Sequence, residues 1–468
     1  MKKLSFIKNT AHNLSNDQLE QRELQKNMFP NQDAGSFTPK STIIRVNCFH
    51  TQEVSDALKS GILLPVRIDL QTLCHEMTHW FDFFGTIWGR DYIEMICRGY
   101  RSIEREPKPG VEEGFPDIIK LFDETRRNLL PEYYRYTRAP SVQHDKTKPW
   151  TIDFSAAYEI DPYGYLCEDK PIFMVKYGEN PSRRNFARQP MFIGALIEAR
   201  AIAAEINVAY EAIRTHPDIG VRTIEMNEAG REFERLAYDH NRIEYNTAAH
   251  LLSSQSGSGE IIVSFQLTAA LAFIALNLSK EDFEKLKEPE DFKLFGDRNT
   301  AFKKNQDRGY AFACMVFNGG VFDGDKEAYI EKCVNASNLG SVNGVMERAA
   351  EALKEPLQLP GGNDVTDHFS RETSKSKNIF EVYSKLPNYT LSFDALESTL
   401  KKISPPFIDA NDDFIELNKG RLDGYQPRMM HDKSNKLYEY TYNLLTGCRG
   451  FPKDRWQVPT PRDSWQIQ

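Results

Sequence analysis

The sequence lacks any stretch near the ~18 uninterrupted apolar residues that a membrane span needs, so no membrane partner is expected. It also lacks a basic excess. Lys and Arg number 59 against 67 Asp and Glu, a net charge of −8, which argues against a nucleic-acid binder working through broad phosphate neutralisation. No Cys-x-x-Cys pair occurs. The seven cysteines (Cys48, Cys74, Cys97, Cys167, Cys314, Cys333 and Cys448) are odd in number and scattered, which predicts reduced thiols in a cytoplasmic protein. Lys2 and Lys3 are followed by no apolar run, so no signal peptide is expected. No repeat of fixed period is present. Asn318-Gly319-Gly320 and Asp323-Gly324-Asp325 read as turns, without the spacing of a phosphate or calcium loop.

What is present is a globular balance, with 40% hydrophobic and 27% charged residues. At roughly 100–200 residues per domain, 468 residues predict two or three domains. Residues 1–40 read as a polar arm with one short helix over Asp17–Lys26. Thr42–Phe49 and Ile62–Ile68 read as strands, the second an edge strand because it holds Pro65. Beyond Asp69 the pattern becomes helical. Helices are expected over Asp91–Ile103, Pro116–Leu130, Met191–Thr215, Asn227–Leu252, Ile261–Leu278, Lys280–Leu286, Val345–Lys354, Ser392–Ile403 and Ser434–Leu445. The class is mostly α with a small β-sheet (α+β). The run Ser253–Gly259 reads as a linker or an internal loop, and further breaks fall at Pro360-Gly361-Gly362 and Ser404-Pro405-Pro406. A catalytic part over 41–252 and a mainly helical part over 260–468 are expected.

One motif stands out. His75-Glu76-Met77-Thr78-His79 matches H-E-x-x-H, of which a chain of this size and composition is expected to hold about 0.015 by chance. At ~100° per residue, His79 lies ~40° from His75, on the same face one turn on. Leu70, Leu73, Met77, Trp80, Phe81 and Phe84 form one apolar stripe on the opposite side. Such a helix buries its back and aims two imidazoles at a common point, where nitrogens at ~2.0–2.1 Å can hold one divalent ion. Glu76, beside them, is placed to take a proton from an attacking water. Asp69 is the expected N-cap. Asp82 and Thr86 share the histidine face, and Asp82 reads equally as a partner orienting an imidazole and as a solvated carboxylate. Cys74 reads as a packed thiol rather than a ligand.

On His75, Glu76 and His79, and on a strand leading into their helix, the sequence resembles the zincin metallopeptidases over about thirty residues. The resemblance implies a zincin-like catalytic core with large helical additions and a Zn²⁺ cofactor. It implies His75 and His79 as metal ligands, Glu76 as general base, and peptide-bond hydrolysis. The metzincin extension is absent, since Asp82 and Gly85 occupy its glycine and third-ligand positions. The gluzincin arrangement, with a glutamate on a later helix, remains.

The segment Met191–Tyr210 offers two such glutamates. Glu198 and Glu205 lie on one line two turns apart, among Ala195, Ile202, Ile206 and Ala209, where carboxylates are unfavourable unless paired or cation-bound. Arg200, Asn207, Glu211 and Arg214 make an opposite, water-facing side. Glu198 is taken as the third ligand, with Glu205 as a second candidate or a partner of the site. The bland reading of either is an ion pair with a buried Arg. Asp91, Glu94, Glu104, Glu112 and Glu113 lie nearer in sequence and are weaker candidates. A hydrogen-bond donor to the reacting oxygen is sought among His144, Tyr158, Tyr163, Tyr165, His240 and His250, none of which stands out.

The functional expectation is a zinc metallopeptidase acting on a protein or peptide, with selectivity for one protein target as a variant of that reading. A zinc hydrolase of a non-peptide bond and a non-catalytic interaction protein with a vestigial site are the alternatives.

Overall fold

The computed structural model describes residues 34–104, 115–129, 134–142, 144, 149–160, 165–355, 357, 359, 364–393, 405, 407–415 and 427–447. The expected helix over Asp17–Lys26, most of Ser392–Ile403, Pro360-Gly361-Gly362, Glu112, Glu113, Tyr163 and Cys448 lie outside them. The class is as the sequence indicates, mostly helical with a small amount of sheet.

A hairpin of β1 (Gly35–Thr38) and β2 (Ile43–Val46) begins the described chain, Gly35 opposite Val46. β2 also pairs in parallel with Phe407–Ile408, which turns antiparallel to Phe414–Ile415, giving a sheet with β1 at its edge. After α1 (Thr51–Ser60), the expected strand over Ile62–Ile68 is absent. Leu64–Val66 is a single 3₁₀ turn running straight into α2 (Arg67–Phe84), the helix of the His-Glu motif. Pro65, read as an edge-strand signal, instead presets the backbone for a helix start. Asp69 is therefore inside the first turn and not the cap, and its carboxylate accepts the backbone N–H of His50 at 3.2 Å.

Next come α3 (Ile87–Glu104) and α4 (Phe115–Leu129). A second sheet follows that the sequence reading missed. It comprises β3 (Tyr136–Thr137), β4 (Thr151–Ile160), β5 (Leu166–Gly178) and β6 (Asn185–Pro190), in the order β3-β6-β5-β4, all antiparallel. Its strand signal is obscured by Pro171 and by the polar outer half of β5, whereas Ile172–Val175 is a continuous buried run. The helices α5 (Ile193–Arg214), α6 (Ile219–Ala237), α7 (Ile243–Ser256) and α8 (Ile261–Leu276) then form the centre. The single helix expected over Asn227–Leu252 is two. They break at Tyr238–Arg242, where the Asp239 carboxylate caps a 3₁₀ turn through the N–H of Asn241.

The helix α5 lies between two apolar clusters. Ala195, Leu196, Ala199, Ala203 and Ile206 join the one holding β5, β6, α7 and most of α8. Ile193, Ile197, Ala204, Val208 and Ala212 join the one holding α2 and α3. The Ser253–Gly259 run is the last turn of α7 followed by a short loop inside this arrangement. Gly257 takes φ 67° to close α7, and the buried Ser258 and Ser264 hydroxyls bond at 2.6 Å. No single helix among the described residues is long and apolar enough to cross a membrane.

Candidate metal centre

The apolar stripe of α2 is buried as the sequence predicts: Leu70, Leu73, Met77, Trp80, Phe81 and Phe84 are all at most 3% exposed. Two of them, Trp80 and Phe84, pack with ring centroids 5.0 Å apart. This fixes the rotation of α2 about its axis, and the histidine face then meets α5.

His75 Nε2 and His79 Nε2 stand 3.0 Å apart with their rings nearly perpendicular. Glu198, from α5, closes the group. Its Oε2 is 3.3 Å from His75 Nε2 and its Oε1 is 3.6 Å from His79 Nε2. Donors bound tetrahedrally at ~2.0–2.1 Å stand ~3.3–3.4 Å apart, close to the separation of each imidazole nitrogen from its nearer Glu198 oxygen. Both carboxylate oxygens of Glu198 are buried and make no hydrogen bond, an arrangement costly for an ionised group without a cation. The donor set and the unsatisfied oxygens fit a divalent ion. Among the described residues, His75, His79 and Glu198 are the one group of three or more His, Cys, Asp and Glu placed to hold a metal.

Glu205, two turns beyond Glu198, bonds His75 Nδ1 at 2.5 Å. That leaves Nε2 as the free donor and raises its basicity. Burial opposes a charge on His75, but Glu205 and Glu198 outweigh it and push the imidazole well above its ordinary range. Burial also lifts the carboxyl of Glu198, yet His79 and His75 prevail and hold it down at about 2. Glu76 is 6% exposed. Burial pushes its carboxyl up to about 7 even though His75 and His79 pull the other way. A Cβ on Gly35 of β1 would come 2.9 Å from Glu76 Oε1 and 2.7 Å from Thr72 Cγ2, so only glycine lets the edge strand approach this carboxylate so closely.

Other expectations resolve differently. Arg200 is not water-facing: it is fully buried, and its Nε donates to Asp82 Oδ1 at 2.9 Å. The angular reading failed because a long side chain on the far side of α5 still reaches α2. Asp82 is accordingly neither solvated nor bonded to an imidazole. Glu211 accepts the backbone N–H of Phe393. Glu94 pairs with Arg98 at 2.5 Å, and neither it nor Asp91 joins the triad. None of the proposed donors with described side chains joins the site. Tyr165 is 70% exposed, Tyr158 accepts from Arg298 at 2.9 Å, and His250 Nε2 bonds the Ala237 carbonyl at 2.7 Å. His144 stacks on Tyr238, and His240 lies beside Asp239.

One residue that feels the charge of Glu198 and that the sequence did not single out is Tyr245, in the first turn of α7. Burial raises its hydroxyl far above the ordinary range, and the charges of Glu198, Glu244 and Glu76 add to this. Only the fold brings α7 beside α5, and no local pattern marks this tyrosine. No protein-family profile, no curated protein and no solved structure matches the chain.

Proposed function

We propose that the chain is a zinc-dependent hydrolase, and specifically a cytoplasmic metallopeptidase of the gluzincin type acting on a protein or peptide substrate. The observation supporting this is the convergence of His75 and His79 from α2 with Glu198 from α5, a residue 119 positions beyond His79, on a point sized for one ion.

Bound zinc would polarise the scissile carbonyl and bring the pKa of water toward ~7. The side chains have separate tasks. His75, His79 and Glu198 hold the ion. Glu205 fixes the tautomer of His75 through Nδ1. Glu76, buried beside the two imidazoles, accepts the proton of the attacking water and passes it to the leaving amine. Tyr245 keeps its proton at neutral pH and donates a hydrogen bond to the developing oxyanion.

The test is a peptide-library digest with the zinc-loaded full chain and its Glu76→Gln variant. Cleavage by the parent, abolished in the variant, is the expected outcome. Stoichiometric zinc without cleavage of any peptide or protein would move the reading to another bond. A parent chain that takes up no zinc would end it.

A further inference from the structure

Asp82 and Arg200 form an ion pair that is at most 1% exposed, with Nε and Oδ1 2.9 Å apart. Nη1 of Arg200 donates to the Ala269 carbonyl of α8 at 2.8 Å. Its guanidinium lies over Phe273 and Tyr383, 4.7 and 5.0 Å from the ring centroids. Pairs of this kind are poor stabilisers: desolvation offsets the attraction, and well-packed apolar side chains often serve as well or better. This pair is not even saturated, because Asp82 Oδ2 and Arg200 Nη2 are buried without a hydrogen bond. Stability alone therefore does not account for it.

Its place does. Asp82 lies three residues after His79 on α2, and Arg200 two residues after Glu198 on α5. The pair thus fastens together the two helices that carry the ligands, close to the ligands themselves. Apolar packing between helices is non-directional and tolerates sliding. One residue's slip along a helix is ~1.5 Å, well beyond the ~0.2 Å latitude of a metal–ligand distance. A directional bond removes that freedom, and the contacts of Arg200 with α8 and with Tyr383 hold the guanidinium in place from two further sides.

We infer that Asp82 and Arg200 are positioning residues of the metal centre, whose ion pair sets the register of α2 against α5 and so keeps His75, His79 and Glu198 at ligand spacing. This rests on the metal centre proposed above.

The experiment uses the purified full chain and the double variant Asp82→Leu/Arg200→Met. Zinc affinity is measured by competition with a chromophoric chelator, the visible spectrum is recorded with Co²⁺, and the thermal midpoint is measured without metal. The double variant is expected to keep the parent's metal-free midpoint while its zinc Kd weakens 10–100-fold and its Co²⁺ bands change. The control is Arg308→Met, since the Arg308 side chain donates to the carbonyls of Ala275 and Leu278 at 3.1 and 2.5 Å, outside the triad. It should lower the midpoint and leave Kd unchanged.

A folded double variant whose Kd stays within threefold of the parent overturns the proposal, as does an equal loss of affinity in the control. Should the double variant not fold, Asp82→Asn keeps the shape and removes the charge. A Kd weakened more than threefold there supports the proposal, and a smaller change overturns it. A parent that binds no zinc overturns the metal centre and this inference together. A parent that binds zinc with the double variant unaffected overturns only the positioning role.

Discussion

Glu76→Gln should move stability and activity in opposite directions. The substitution is nearly isosteric, so the close approach of Gly35 is kept and only the charge is lost. In the metal-free fold, burial raises the Glu76 carboxyl from 4.5 to about 7 against the pull of His75 and His79. The folded state then holds a proton that the unfolded state has released, so stability is lost as pH rises from 4.5 through about 7. At 1.36 kcal/mol per pH unit, that gap is worth ~3 kcal/mol. The variant cannot suffer this loss. In the presence of a chelator its thermal midpoint should match the parent's near pH 4.5 and exceed it at pH 8.

The same variant, reloaded with zinc, should lose roughly 10²–10⁴ in rate, ~2.7–5.5 kcal/mol of transition-state stabilisation. Paired thermal melts from pH 4.5 to 8 and initial rates on one cleaved peptide measure both. A midpoint difference that does not grow with pH would refute the burial argument, and an undiminished rate would refute the general-base assignment.

His79→Ala should abolish stoichiometric zinc, read by elemental analysis after dialysis; an unchanged ratio would rule out ligation there. Tyr245→Phe should keep zinc and lower kcat ~10²-fold or more with little change in KM, as for loss of one oxyanion donor, and an unaltered kcat would remove it from the mechanism. His250 is 6% exposed, and burial lowers its imidazole to about 4 although its bond to Ala237 works against this. Protons therefore bind the unfolded chain first, and stability should fall by up to ~3 kcal/mol as pH drops from 6.5 to about 4. His250→Gln should flatten that window in urea titrations, and an identical slope in parent and variant would contradict the assignment.

The parts of the site set by one helix were legible in the sequence. His75, Glu76 and His79 lie on one face because six apolar residues demand the other, and that stripe is unambiguous. Glu198 and Glu205 were both legible as carboxylates that need a counter-charge amid alanines on a buried helix, but which of them faces both imidazoles was not. What depended on reach or on non-local packing was not legible. Arg200 looked solvent-facing by angle alone, yet three methylenes carry its guanidinium to Asp82. Pro65 carried two meanings, and the local pattern favoured the wrong one. The β3–β6 sheet was hidden because half of β5 is exposed and charged while the other half is buried on both faces. Tyr245 comes within the electrostatic reach of Glu198 only through the packing of α7 on α5.

The central claim is that two imidazoles and one distant carboxylate share an ion. X-ray absorption at the zinc edge on the purified, dialysed full chain tests it most directly. The account predicts one zinc per chain, two imidazole nitrogens and at least one oxygen near ~2.0–2.2 Å, and loss of a carboxylate ligand in Glu198→Gln. A zinc shell containing sulfur, or one unaltered by that substitution, would contradict it.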